Sequence, residues 1–196
     1  MIIKTFKGGY DSNCAYLAID SDQALLIDPS VPAQTILNYC EKNNLKLTGV
    51  VILHSHHDHL VDIEFYHRRG YPLIGHSSLK IDVSRKVDET DTIIVGRKHL
   101  TVMFTPGHRF DSICLYDGKR LFTSDTIFVH GIGRVDFPGS EPQAMAETLE
   151  RLRRLPDETV IYPGHDYGPR PTSTIGDEKR MNPYFKMSKE EFLKRN

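Results

Sequence analysis

The chain lacks a charge bias. Its 25 Lys and Arg against 26 Asp and Glu leave a formal net charge of −1 over 196 residues. Non-specific nucleic-acid binding rests on a net basic field, so no nucleic-acid partner is expected. Long apolar runs are missing too. The longest are of the Gly49–Leu53 kind (GVVIL), far short of the ~20 residues of a membrane span, and no membrane partner is expected. The opening MIIKTFKGGY holds no apolar stretch of the secretory type. Cysteine is scarce. Cys14, Cys40 and Cys114 are an odd set without CxxC or zinc-finger spacing, which argues against a disulfide scaffold and for reduced thiols in the cytoplasm. Repeats and low-complexity segments are absent. The remaining composition, 39% hydrophobic and 26% charged, is that of an ordinary globular protein. At roughly 150 residues per domain, a single domain over 1–196 is expected, with a short C-terminal tail or helix from about residue 176.

Short apolar segments dominate the first third: Ile2–Phe6, Ala15–Ile19 and Ala24–Ile27, separated by Gly, Asp, Ser and Asn clusters. They read as strands. Asp28-Pro29-Ser30 breaks the pattern, and Pro32 opens a helix through about Asn43, with Ile36, Leu37 and Cys40 at helical spacing. Gly49–Leu53 then reads as a strand buried on both faces. Strand, helix and buried strand make a βαβ unit. Val61–Arg69 is read as helical and Tyr71–Gly75 as a strand. Thr92–Val95, Leu100–Phe104, Ser112–Tyr116 and Arg120–Thr123 follow as a meander with tight turns. Gln143–Leu155 is the clearest helix, with Met145, Leu149 and Leu152 as its apolar stripe. Ser140 is expected to cap it, with Gln143 completing a capping box, and Glu147–Arg151 to pair on its outer side. Thr159–Tyr162 adds a strand, Gly168–Thr174 reads as a loop, and Ser188 with Glu191 caps a last short helix. The order describes an α/β (α+β) protein of two packed sheets with helices outside. That is a four-layer αββα sandwich whose halves look duplicated.

Histidine is abundant. There are 10, and four of them, His54, His56, His57 and His59, fall between positions 54 and 59. The cluster follows a buried strand, and functional groups in α/β proteins gather past the carboxyl ends of strands. On extended backbone, residues i and i+2 point the same way, so His54 and His56 can converge on one cation. Asp58 and His59 follow as the chain turns and can aim at a neighbouring point, while His57 faces away. Imidazole with carboxylate suits zinc, iron or manganese, and the absence of Cys argues against a closed structural zinc. Further ligands must come from elsewhere. His108 (in TPGH), Asp125 (in TSDT) and His165 (in YPGH) each stand just after an expected strand. Gly107 and Gly164 would let the chain turn to deliver the two rings.

HSHHDH, TPGH, TSDT and PGHDYG, in this order, resemble the metallo-β-lactamase superfamily, whose signature is HxHxDH with later His, Asp and His. The resemblance covers nearly the whole chain and implies the αββα fold. It assigns His54, His56 and His108 to a first metal, Asp58, His59 and His165 to a second, and Asp125 to a bridge between them. Two divalent ions are implied, zinc first, with iron or manganese as alternatives. Gly131–Gly139 (GIGRVDFPG), Thr174–Lys179 (TIGDEK) and Asn182–Phe185 (NPYF) resemble glyoxalase II-like hydrolases, which act on glutathione thioesters such as S-lactoylglutathione. The implied activity is thioester hydrolysis by metal-activated water, on a small-molecule thioester or thiol-derived substrate. Asp58 and Asp125 are its catalytic residues. Asp58 serves mainly as a ligand, with proton transfer a secondary role. Arg134 and Tyr167 are expected to hold a substrate carboxylate or peptide group. GRVDF, HDY and the later NP are also similar to glutathione persulfide dioxygenases. Those enzymes use one iron, here His54, His108 and Asp125, and they are the alternative. Leu53, Arg109 and Asp111 depart from the common runs, and Arg109 puts a cation beside a ligand histidine. The long C-terminal helical domain of the larger glyoxalase II enzymes is not matched. His130 is the one histidine outside the motifs placed to line the cleft. The oligomeric state stays open, a homodimer included.

Overall fold

The computed structural model describes residues 1–195. The first sheet holds β1 (Ile2–Gly8), β2 (Asn13–Asp20), β3 (Gln23–Ile27), β4 (Lys46–Val51), β5 (Leu73–His76) and β6 (Arg85–Val87), in that spatial order. Its first three strands are antiparallel, and β3 to β6 run parallel. The second sheet holds β7 (Thr92–Val95), β8 (Lys98–Phe104), β9 (Ile113–Tyr116) and β10 (Arg120–Ser124) as a meander. A hairpin of β11 (Ile127–Phe128) and β12 (Gly131–Ile132) stands apart from both sheets. Then β13 (Val160–Pro163) joins β10 in parallel, and β14 (Ser173–Thr174) pairs with β13. Helices α1 (Ala33–Lys42) and α2 (Ile63–Arg68) precede the second sheet. Helices α3 (Pro142–Leu152), α4 (Ile175–Met181), α5 (Pro183–Lys186) and α6 (Lys189–Arg195) come after β12. The first half has three antiparallel strands and the second four, and in each a helix then leads to a parallel strand.

Residue alternation along the strands builds the layers. Every residue of β2 is buried. Cys14, Tyr16 and Ala18 face the second sheet, in one cluster with Ile93, Val102 and Phe122. Ala15, Leu17 and Ile19 face the opposite way, onto Ile36 and Cys40 of α1 and Tyr66 of α2. Two-sided burial needs apolar residues at both phases of the period-2 pattern, which β2 and the Val50–Leu53 run supply. A third cluster covers the second sheet with Met145, Leu149 and Leu152 of α3, Phe185 of α5 and Phe192 of α6. The architecture is the four-layer αββα sandwich expected. All three cysteines are free and buried, and no helix of the described residues is long and apolar enough to cross a membrane.

Three local expectations are corrected. Helix α3 starts from Glu141, not from a Ser140 cap. The Ser140 hydroxyl donates instead to the carbonyl of His108 at 2.7 Å. Arg151 reaches across to Glu89 and to the Phe104 carbonyl rather than to Glu147, and Glu147 accepts from Lys189. Finally, the stretch read as a loop ends in β14, and Thr174 caps α4 by accepting from the Asp177 amide. The Ser188–Glu191 capping box forms as expected.

Candidate metal centre

The carboxyl ends of the parallel strands meet at one lip of the sandwich. Asp28 follows β3, the 54–59 segment follows β4, Asp125 follows β10 and His165 follows β13. Backbone bonds from Ile113 to Leu53 and from Cys14 to Gly164 tie the two sheets together there. His56 lies on extended backbone, and the His54 and His56 ring centroids are 4.9 Å apart. Residues His57–His59 then form one 3₁₀ turn that brings Asp58 and His59 round. His57 is exposed.

Seven residues expected as ligands come together in this lip. Ligand atoms of His54, His56, His108 and Asp125 lie within 4.8 Å of one another, and so do those of Asp58, His59 and His165. Asp125 sits between the two sets. Its Oδ2 is 3.6 Å from His108 Nε2 and 3.4 Å from His165 Nε2, while its Oδ1 is 3.3 Å from His59 Nε2. Asp58 Oδ2 stands 3.4 Å from His59 Nε2 and 3.5 Å from His165 Nε2.

The hydrogen-bond network assigns the tautomers. His108 Nδ1 faces the Arg134 carbonyl and His165 Nδ1 the Asp11 carbonyl, each at 2.8 Å. A carbonyl only accepts, so both Nδ1 atoms carry the hydrogen and both Nε2 atoms are bare. His59 Nδ1 likewise donates to Asp28 Oδ2 at 2.8 Å. Ser124 gives its one hydroxyl hydrogen to Asp28, so His54 Nδ1 donates to Ser124 Oγ. The bare Nε2 atoms of His59 and His165 are therefore 3.0 Å apart, and His108 Nε2 is 2.9 Å from His56 Nδ1. The lone pairs of His59 and His165, facing one another beside the Asp125 carboxylate, repel unless a cation joins them. His54 Nε2 and Asp125 Oδ1 are moreover buried without a hydrogen-bond partner. The donor set and its outer hydrogen bonds fit first-row divalent ions.

Charge tells the same story. Burial opposes ionisation of Asp125, yet the surrounding His59, His165 and His54 rings hold its carboxyl far below the usual range. Burial, aided by neighbouring imidazoles, holds His54 well below the ordinary imidazole value and lowers His56 to about 4. His59 runs the other way. Burial disfavours its charge, but Asp28 and Asp125 push it up to about 10. In the metal-free protein a proton supplies the missing cation, and a metal ion would displace it.

Two outer residues escaped the sequence reading. Asp28 is fully buried and holds His59 and Ser124. In sequence it reads as a pattern break, although its place at a strand's carboxyl end is the available signal. Asn13 donates to Asp58 Oδ2 at 2.9 Å, and nothing in its turn cluster marked it. Gly107 has φ +143° and packs against Met145 of α3, whereas Gly164 is required for space, since a Cβ there would lie 2.3 Å from Asp125 Oδ1.

Beside the ligands opens a cleft of about 990 Å³. Tyr167 lies flat on His165, with ring centroids 4.6 Å apart, and its hydroxyl donates to Asp11. Arg134 lines the same cleft but pairs with Asp136 through Nε at 2.8 Å and Nη2 at 2.7 Å. Arg109 is spanned between the Pro138 carbonyl and Ser55 Oγ, and stands 4.0 Å from Asp111. His130 is part of the wall, as its position suggested.

A family model described as the metallo-β-lactamase superfamily matches residues 61–165. The chain is 28% identical to the probable polyketide biosynthesis zinc-dependent hydrolase PksB of Bacillus subtilis, over 97% of this chain and 89% of that one. It is 37% identical to the hydroxyacylglutathione hydrolase of Hahella chejuensis over 76% of this chain, and spans 60% of that enzyme's length. Among solved structures, ETHE1 from Myxococcus xanthus superposes with a TM-score of 0.92 at 36% identity, covering 99% of this chain and 89% of that one. TTHA1623 in a di-iron-bound form gives 0.80 at 26% identity, covering 92% and 99%.

Proposed function

Because the chain belongs to the metallo-β-lactamase superfamily, we propose that it is a metal-dependent hydrolase of thioesters, of the glyoxalase II type. The observation that carries this reading is the position of Asp125, whose Oδ2 lies 3.6 Å from His108 of one ligand set and 3.4 Å from His165 of the other, with Oδ1 3.3 Å from His59. His54, His56 and His108 would hold one ion, Asp58, His59 and His165 the other, and Asp125 both. Ions so held would acidify water to a nucleophile at neutral pH and polarise the carbonyl it attacks. Zinc is the first choice, supported by the zinc-dependent relative, and iron is the alternative, supported by the di-iron neighbour.

The chain's own groups do the rest. Asp28, Ser124, Asp11 and the Arg134 carbonyl orient the rings through their Nδ1 atoms, so the bare nitrogens need no rearrangement. Asn13 fixes Asp58, whose carboxylate stays ionised and can pass a proton at Oδ2. Tyr167 forms a flat wall against which the substrate lies. Arg134 retains Nη1 outside the Asp136 pair, an N–H edge for a substrate peptide carbonyl. The leaving thiolate, of pKa about 8.5, departs without a dedicated acid.

The test is hydrolysis of S-lactoylglutathione by protein of measured metal content. Turnover that follows metal loading supports the reading. The second reading, a one-iron persulfide dioxygenase, draws on the GRVDF and HDY stretches and on the convergence of His54, His108 and Asp125. One iron per chain, with oxygen uptake on glutathione persulfide and no thioester hydrolysis, would replace the hydrolase assignment.

A further inference from the structure

We infer that the thiol half of the substrate is an uncharged amide arm of the pantetheine kind rather than the doubly carboxylated tripeptide of glutathione. The inference rests on the thioesterase reading and names its thiol.

The lining of the cleft carries it. Apart from imidazoles, the cations among the described residues that line it are Arg109 and Arg134. Both are engaged. Arg109 uses Nη1 and Nη2 on the Pro138 carbonyl and Ser55 and is four-fifths buried. Its bonds hold the 54–59 segment, so turning it to a ligand would loosen the metal ligands. Arg134 is gripped bidentately by Asp136 and lies 4.2 Å over the Phe137 ring. Recruiting it to a substrate carboxylate would exchange one bidentate pair for another and leave Asp136 beside a like charge, so no net attraction results. Asp11 adds a carboxylate to the wall. A glutathione arm would bring two carboxylates to a cleft whose two lining arginines are both already engaged.

The rest of the wall suits an uncharged arm. Phe128 and Tyr167 meet edge to face with centroids 5.0 Å apart, and Phe137 is 39% exposed. Tyr10 stands fully exposed at the rim. Aromatic faces accept branched apolar groups, and apolar walls with a few placed polar groups are what bind such ligands. The Arg134 Nη1 edge can donate to one amide carbonyl without leaving Asp136. A pantetheine arm presents this chemistry: a thiol, two secondary amides and a branched dimethyl carbon.

The experiment compares one acyl group on two thiols with the metal-loaded protein. S-acetylpantetheine should be hydrolysed with a kcat/KM at least ten-fold above S-acetylglutathione; equality or the reverse order overturns the inference. Acetyl-coenzyme A and an acetylated carrier protein, run beside them, also support it where they exceed the glutathione ester, and the better of the two identifies the source of the arm. If no thioester is hydrolysed by metal-loaded protein, the thioesterase reading fails by itself. Calorimetric binding of S-hexylpantetheine and S-hexylglutathione then still decides the arm, with ten-fold tighter binding of the former expected and parity refuting it. Asp136→Asn releases Arg134 and should tighten S-hexylglutathione at least three-fold, with S-hexylpantetheine changed less than two-fold. No gain for the glutathione ligand would show that the Asp136 pair is not what turns carboxylates away, and would also overturn the inference.

Discussion

Ser124 donates a 2.6 Å hydrogen bond to Asp28 across 96 residues of sequence, between two buried side chains. The bond joins the two sheets at the metal lip. It also sets a proton relay in order: Ser124, its hydrogen spent on Asp28, must accept from His54, and Asp28 accepts from His59 as well. One carboxylate thereby fixes the tautomers of two rings expected to ligate different ions.

Asp28→Asn tests that arrangement. Asp28 has φ +61°, a left-handed backbone that Asn tolerates, so the fold should persist. His59 and Ser124 both donate to Oδ2, so the amide oxygen can still accept them, but the negative charge behind His59 is lost. Metal content and turnover should fall about 10- to 100-fold. Wild-type affinity measured by chelator competition would remove Asp28 from the site.

Asp125→Ala removes a side chain whose oxygens face both ligand sets. Turnover should drop to background and bound metal should decrease in elemental analysis. Full activity in this variant would contradict the assigned centre.

Gly164→Ala should disturb the same carboxylate without substituting a ligand. Its Cβ would lie 2.3 Å from Asp125 Oδ1 and 2.9 Å from His59 Cε1, so the carboxylate must move. A displacement of about 1 Å costs roughly 10²-fold in rate, with circular dichroism unchanged. Undiminished kcat would mean that the carboxylate position is not limiting.

His76 predicts a pH effect away from the metal centre. Its ring stacks on Phe104 at 4.1 Å, and Nδ1 meets Ser78 Oγ at 2.7 Å. Burial lowers its pKa below 6.5, against the opposing pull of Asp88. The unfolded chain therefore takes up this proton at higher pH than the folded one, and stability is lost as pH falls below about 6.5. His76→Gln should show a smaller fall in Tm between pH 7.5 and 5.5 than the parent, by on the order of 1 °C. An identical fall in both proteins would refute the coupling.

Much of the fold was legible because its central strands are continuously apolar. Ala15 through Ile19 and Val50 through Leu53 are apolar at both phases, and only a sheet covered on both faces accommodates that. The ligand motifs were legible because each stands directly after a strand. The α3 start was not, because Ser140 turns to the His108 carbonyl. That partner lies 32 residues away, and local capping statistics carry no information about it. Arg151 was misread for the same reason, since Glu89 and the Phe104 carbonyl outcompete an exposed helical neighbour.

Sequence alone determined the layers and the supply of imidazoles and carboxylates, because side-chain period and residue type are local properties. Tertiary structure decided which nitrogen of each ring is bare, which arginine is already paired, and that Asp28 and Asn13 stand behind the ligands. Those outcomes depend on distances between strands of different sheets, and such distances come into being only when both sheets close on the common core.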